Sequence, residues 1–405
     1  MTPAGSQSPL GNLPLTAELF PDGRALLVVN AGQGVQSLQV VDPADGTVLQ
    51  SIEYRTPEAL FVGAAFSPDG TRAYVSAGGN NEIRTYDVVA NRLTETESIP
   101  LPTTNPEGKK VNMFPAELEV TPDGRRLVVA DSLADAVTVI DLATATTRTI
   151  AVKHTPYGVA VTPDGTTAYV SNQGASTLSV VDLTTNQVTL TIELAPYRNA
   201  QVGANPAALA LSEDGRTLYV ANSGNNDVAV VDTESGEVEG LIPTVWYPSA
   251  LVATDARLLV VNAKGLGAGP TTGPGSPNPY GSTSPDKYIG SMMTGTLSRI
   301  ELPVRHRRLD RWTEQVEENN GFADRGRVRV KGGASVIPRR VGEPSPIKHV
   351  FYVVRENRTY DQELGSLGKG NGEASLNLFG DESAPNSREL ARRYVTVDTF
   401  PPTPR

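Results

Sequence analysis

The twelve residues Val161-Thr162-Pro163-Asp164-Gly165-Thr166-Thr167-Ala168-Tyr169-Val170-Ser171-Asn172 read as a strand end, a tight turn and a second strand. Proline presets φ at the second turn position, aspartate hydrogen-bonds its own backbone, and glycine takes the left-handed conformation. The flanking runs alternate apolar and polar residues and are rich in Val, Tyr and Thr, as strands are.

The same pattern returns along the chain. It reads Leu19-Phe20-Pro21-Asp22-Gly23 through Val29-Asn30, Phe66-Ser67-Pro68-Asp69-Gly70, Val120-Thr121-Pro122-Asp123-Gly124 and Leu211-Ser212-Glu213-Asp214-Gly215. A degenerate sixth copy runs from Leu251 to Asn262, and the marker aspartates are 47, 54, 41, 50 and 41 residues apart. A second signature trails the first: Val40-Val41-Asp42, Thr85-Tyr86-Asp87, Val139-Ile140-Asp141, Val180-Val181-Asp182 and Val230-Val231-Asp232. Gly/Asn clusters such as Ser223-Gly224-Asn225-Asn226-Asp227 supply the intervening hairpin. Four short strands at this spacing make one blade of a propeller, which buries its faces only by stacking on the next blade. Six copies predict six blades, and the chain ends could complete a seventh.

Composition agrees. The chain has 405 residues, including 38 Gly and 31 Pro, which suits many short strands and tight turns. With a net charge of −10 it is not expected to bind nucleic acid. It has no cysteine, which excludes disulfides, zinc–thiolate centres and a cysteine nucleophile. The opening Met1-Thr2-Pro3-Ala4-Gly5-Ser6 has neither the basic nor the apolar region of a signal peptide, and no segment reads as a membrane span.

The resemblance is to the YVTN-type, lactonase-like propeller repeats, carried by Ala168-Tyr169-Val170-Ser171-Asn172 and Leu218-Tyr219-Val220-Ala221-Asn222. It covers residues 12–302. Within it, residues 265–295 form a Gly/Pro/Ser-rich insert between the second and third strands of the sixth unit, read as a surface loop. Residues 303–345 form a connector, basic over 303–340, with a short helix expected from Leu309 to Asn320 before Gly321.

From Ile347 the chain reads Ile-Lys-His-Val-Phe-Tyr-Val-Val-Arg-Glu-Asn-Arg-Thr-Tyr-Asp, ending at Asp361. The continuous apolar run predicts a strand buried on both faces of an α/β sheet, with polar residues at its C-terminal end. Glu356 and Asn357 offer the oxygen atoms a divalent cation prefers; the alternative is an ordinary solvated loop. The motif Glu356-Asn357-Arg358-Thr359-Tyr360-Asp361 resembles the opening of the phosphoesterase family that includes bacterial phospholipases C and acid phosphatases, relatives of alkaline phosphatase. Gly370-Asn371-Gly372, Leu378-Phe379-Gly380, Pro385-Asn386, Leu390-Ala391 and Asp398-Thr399-Phe400 extend that resemblance. It implies an incomplete α/β phosphoesterase segment over 346–405. It further implies that Glu356 and Asn357 bind the catalytic divalent metal and that Asp361 either supports those ligands or is structural; the ligand is a phosphoester or another small molecule. Complete relatives are exported, so the resemblance also implies a periplasmic or extracellular setting. The family's Ser/Thr nucleophile and remaining ligands lie downstream of this motif. About sixty residues cannot build a layered hydrolase domain, so a truncated and inactive phosphoesterase is expected, with no catalytic residue assigned.

His154, His306 and His349 fall in separate regions, against a histidine-rich metal site. Gly365-Ser366-Leu367-Gly368-Lys369-Gly370 lacks Walker spacing and reads as a loop. Aromatic residues next to the prolines that open first strands, Phe114, Tyr157, Trp246 and Tyr247, are candidates either to line a ligand-binding mouth near the propeller axis or to pack between blades. The alternative to a phosphoesterase is thus a non-catalytic binding or scaffold propeller. A lactonase-like activity of the propeller itself lacked an identifiable set of converging carboxylates.

Overall fold

The structure, a computed structural model, describes residues 14–31, 35–42, 46–196, 203–265, 296–322, 336, 345–354, 358–370 and 372–396. The chain divides into two compact units, Met1–Val316 and Glu317–Arg405.

The first unit is an all-β propeller with six blades among the described residues, within 14–54, 64–100, 115–151, 156–193, 206–243 and 246–301. Blade 4 shows the plan: Pro156–Val161, Thr167–Asn172, Thr177–Asp182 and Gln187–Glu193 pair antiparallel in chain order. The first strands of consecutive blades lie beside one another, so they surround a common axis. Blade 6 has three strands, and its second and third, Arg257–Gly265 and Thr296–Glu301, bracket the expected insert.

The repeated turn is built as its sequence requires. In blade 4 the Asp164 Oδ1 accepts from the Thr162 hydroxyl at 2.6 Å and the Thr166 N–H at 3.0 Å, and Gly165 has φ +69°. The turns also stack. A Cβ placed on Gly70, Gly124, Gly165 or Gly215 would meet the turn proline of the preceding blade (Pro21, Pro68, Pro122 or Pro163) at 2.9 to 3.5 Å. Proline and glycine of adjacent copies are therefore contact partners as well as turn formers.

Five apolar clusters fill the seams between consecutive blades. The seam of blades 4 and 5, for example, holds Tyr169, Leu178, Leu209, Leu218 and Val220. Burying each such side chain contributes about 1.5–3 kcal/mol. The seam of blades 1 and 2 adds a polar clasp: Arg84 pairs with Glu58 and with Glu95 at 2.8 Å, and lies over the Tyr54 ring.

The expected connector helix is present as α1, His306–Asn320, and ends at Gly321 with φ +69°. Leu309 and Trp312 fill the seam of blades 5 and 6, and the Thr313 hydroxyl accepts from the Leu241 N–H at 2.9 Å. Gly240 permits this approach, since a Cβ there would stand 2.6 Å from Leu309 Cγ.

The second unit departs from expectation. Among its described residues there is no strand, and the run 349–354 is irregular, so those residues show none of the α/β sheet expected for this segment. Val350, Phe351, Tyr352, Val353 and Val354 are 71–91% exposed. Apolar continuity marks a buried strand only where neighbours pair its backbone and cover both faces, and among the described residues none does so. What does fold is a small helical cluster with α2 at Tyr360–Leu364 and α3 at Pro385–Arg393. Buried Arg388 ties it together, donating to Asp381 Oδ1, the Glu363 and Phe379 carbonyls and the Ser366 hydroxyl. Lys369 donates to the Ala391, Arg392 and Tyr394 carbonyls, closing the C-terminus of α3. That accounts for the Gly-Lys-Gly loop without a phosphate.

Candidate functional site

The propeller's first strands are entered through a strained residue. Phe114, Thr155, Asn205 and Tyr247, each immediately before a proline at or near the start of a first strand, have φ of +54°, +53°, +46° and +61°. For bulky side chains this backbone region is unfavourable and persists only when neighbours impose it. The neighbours are loops of the preceding blade. Asn81 Oδ1 accepts from Met113 N at 2.6 Å, Asp135 Oδ1 from Thr155 N at 2.9 Å, and Asn226 Oδ1 from Tyr247 N at 2.9 Å.

This backbone brings aromatic rings together at one end of the axis. Phe61 meets Phe114 edge-on at 5.1 Å and Tyr157 at 6.5 Å. Burial and the nearby charges of Glu117 and Tyr247 push the Tyr157 hydroxyl well above the ordinary tyrosine range. Tyr247 carries the Lys264 ammonium 4.4 Å above its ring. Of the four aromatics singled out in the sequence, Phe114 and Tyr157 are thus joined through Phe61, and Tyr247 lies within electrostatic reach. Trp246 sits opposite Gly265 in blade 6 and, among the described residues, joins none of these ring contacts.

Along the same first strands lie three carboxyl groups that the sequence did not single out. Burial pushes Glu117 up to about 8, with help from the charges of Glu18 and Glu119, against one backbone hydrogen bond from Val159. Burial pushes Glu119 up to about 7, partly offset by the Val161 N–H, which its Oε2 accepts at 2.8 Å. Glu18 is also raised to about 7; its side chain reaches solvent, but in a space hemmed in by protein. Two alternate glutamates of one blade-3 strand thus cap the inner-strand N–H groups of blade 4, and the charge of Glu18 of blade 1 acts on both. A signal was available. In the other copies the position of Glu117 holds Thr16, Gly63, Gly158, Ala208 and Ala250, and that of Glu18 and Glu119 holds Ala65, Ala160, Ala210 and Val252.

Carboxyl groups with pKa values of 7 to 8 are partly protonated at neutral pH, so one site holds both a proton donor and a proton acceptor. Among the described residues no three His, Cys, Asp or Glu side chains are placed to hold one metal ion. Glu356 and Asn357, the implied metal ligands, lie outside the described residues. Asp361 is structural in its setting, its Oδ1 accepting from Glu373 N at 2.8 Å.

Blades stacked by repeated turns, with their first strands around a common axis, define a β-propeller. The sequence profile of the family described as Lactonase, 7-bladed beta-propeller matches residues 16–193 and 158–244, which together span more than half of the chain. The chain belongs to that family. Among solved structures it is similar to a protein from Lactobacillus plantarum, with 21% identity over 62% of this chain and 77% of that one, TM-score 0.50. It is also similar to Kuenenia stuttgartiensis hydrazine synthase, with 17% identity over 64% of this chain and 95% of that one, TM-score 0.44. At these identities the likeness concerns the fold alone. No curated protein matches the chain. No helix among the described residues is long and apolar enough to cross a membrane.

Proposed function

We propose that the propeller binds a small hydroxylated cyclic ester at its axis and hydrolyses it by acid–base catalysis. The observation that carries this reading is the trio Glu18, Glu117 and Glu119, raised to about 7, 8 and 7 beneath the aromatic mouth. Ring faces suit the apolar side of a cyclic polyol, and carboxyl groups suit its hydroxyls. Glu117, with the highest pKa, holds its proton at neutral pH and donates it to the ring oxygen as that oxygen leaves. Ionised Glu18 takes a proton from the attacking water, whose oxygen forms the new bond to the carbonyl carbon. Lactone and water become one hydroxy acid, with no other reactant required.

The test is hydrolysis of glucono-1,5-lactone above the spontaneous rate, followed by proton release. Glu117→Gln removes the transferable proton and should lower kcat/KM by about 10²-fold or more, as loss of a positioned acid does. The wild-type profile should peak between about 7 and 8, where Glu18 is ionised and Glu117 protonated. No acceleration by wild type would leave a non-catalytic binding propeller. The motif at Glu356–Asp361 supports a second reading, a metal-dependent phosphoesterase with Glu356 and Asn357 as ligands. The same assay run with p-nitrophenyl phosphate and added zinc separates the two. Turnover lost in Glu356→Ala would move the chemistry to that segment.

A further inference from the structure

Away from the axis, a cleft of about 360 Å³ opens between the loop joining blades 2 and 3 and two loops of blade 3. That volume is in the range of small-molecule sites. Its lining is more polar than apolar, with Val111, Leu133, Ala134, Ala151 and Val152 contributing an apolar patch. Leu133 is 60% exposed there, a large apolar side chain held out at a loop tip.

The polar groups of the cleft divide unevenly. Its two carboxylates are both engaged. Glu107 pairs with Lys109 at 2.8 Å. Asp135 accepts from Thr155 N at 2.9 Å and faces His154 Nδ1 at 3.0 and 3.1 Å. The amide oxygen of Asn105 is engaged as well, accepting from Glu107 N at 3.2 Å and Lys109 N at 2.9 Å, which leaves its NH2 group as the outward function. Lys110 makes no ion pair among the described residues. What the walls still offer a ligand is therefore donors, one of them a full positive charge, beside a smaller apolar patch.

We infer that this cleft is a second ligand site, distinct from the axis, and that it takes a small monocarboxylate with a compact apolar body. The body covers Val111, Ala134, Ala151 and Val152, and the carboxylate accepts from the Lys110 ammonium and the Asn105 amide. His154 and Thr155 N occupy the oxygens of Asp135, and Lys109 pairs with Glu107, so neither carboxylate competes for the Lys110 ammonium. The site needs none of the axial glutamates, so its success or failure is independent of lactone hydrolysis.

4-Fluorophenylacetate titrated into the full chain and followed by ¹⁹F NMR tests the inference. Saturable broadening is expected, weakened about tenfold in Lys110→Ala, as the loss of one charge-assisted contact implies. Leu133→Asp places a like charge at the rim and should weaken binding at least as much; Ala151→Phe fills the cleft and should abolish it. Both Lys110 and Leu133 are exposed, so these two variants should melt with wild type. The neutral 4-fluorophenylacetamide should bind about tenfold more weakly than the acid. No saturable response, equal binding of acid and amide, or wild-type affinity in Lys110→Ala would each overturn the proposal.

Discussion

At the residue scale, the propeller carries unusual protons. Asn222 Nδ2 donates to Asp227 Oδ1 at 2.8 Å, while Asn222 Oδ1 and Asp227 Oδ2, both buried, have no partner among the described residues. A carboxylate so placed lacks a donor, and a proton on Oδ2 supplies one. Burial correspondingly pushes Asp227 up to about 7. A carboxyl whose pKa is raised by folding contributes full stability below its unfolded value and loses it as pH rises through the folded one. Asp227→Asn retains an amide in place of the protonated acid and cannot ionise. At pH 8 it should therefore melt at or above wild type, by on the order of 1 kcal/mol, since each pKa unit is worth about 1.4 kcal/mol before relaxation. A marked loss at pH 8 would mean that the ionised form is the stabilising one.

At the element scale, the stacked turns separate two roles of one residue type. Gly23 and Gly215 have nearly the same φ, +71° and +70°, but a Cβ on Gly23 meets nothing within 4 Å whereas one on Gly215 would stand 2.9 Å from Pro163 Cδ. Alanine at Gly23 should cost only the left-handed backbone penalty, about 1 kcal/mol. Gly215→Ala should cost about 1–3 kcal/mol more, the range for overpacking. Equal losses in thermal melts would show that the turns do not bear on one another. The turn itself was legible because Pro, Asp and Gly each have a local reason to be there; the stacking was not, because it joins residues about fifty positions apart. The same limit governs the site. Phe114 and Tyr157 could be suspected from their prolines, whereas Glu117 and Glu119, two residues apart on a strand, look like an ordinary solvated face. Local period cannot distinguish water outside a sheet from the axis within it. Residues 349–354 mislead in the opposite sense, since a run of five large apolar side chains fixes what a segment could bury, not whether anything covers it.

At the scale of the propeller, two populations of carboxyl groups set opposite limits on stability. Glu18, Glu117, Glu119, Asp131 and Asp227 are raised to about 7, 8, 7, 8 and 7, each chiefly by burial. Their contribution is complete below the ordinary carboxyl range, near 4, and is lost as pH rises through 7 to 8. The turn aspartates behave inversely. Hydroxyl and backbone donors hold Asp69, Asp123, Asp141, Asp164 and Asp214 below their ordinary value of 3.8, and Asp182 down to about 2. Their contribution is present above that value and fades as pH falls below it. The first population favours acid and the second forbids too much of it, so the propeller should be most stable between about pH 4 and 5. The chain's net charge of −10 at pH 7 acts in the same direction on the alkaline side, because protonating carboxyls relieves self-repulsion. Since Glu18, Glu117 and Glu119 interact, their loss should be spread across the range rather than appear as one step. Scanning calorimetry from pH 3 to 9 should show a melting temperature that rises to about pH 4.5 and then declines through pH 8. Glu117→Gln should flatten the alkaline limb and leave the acid limb in place, because the turns that set the acid limb lie at the opposite ends of the strands. A melting temperature that climbs steadily from pH 5 to 8 would show that the axial carboxyls ionise freely, and the acid–base role assigned to them would fall with it.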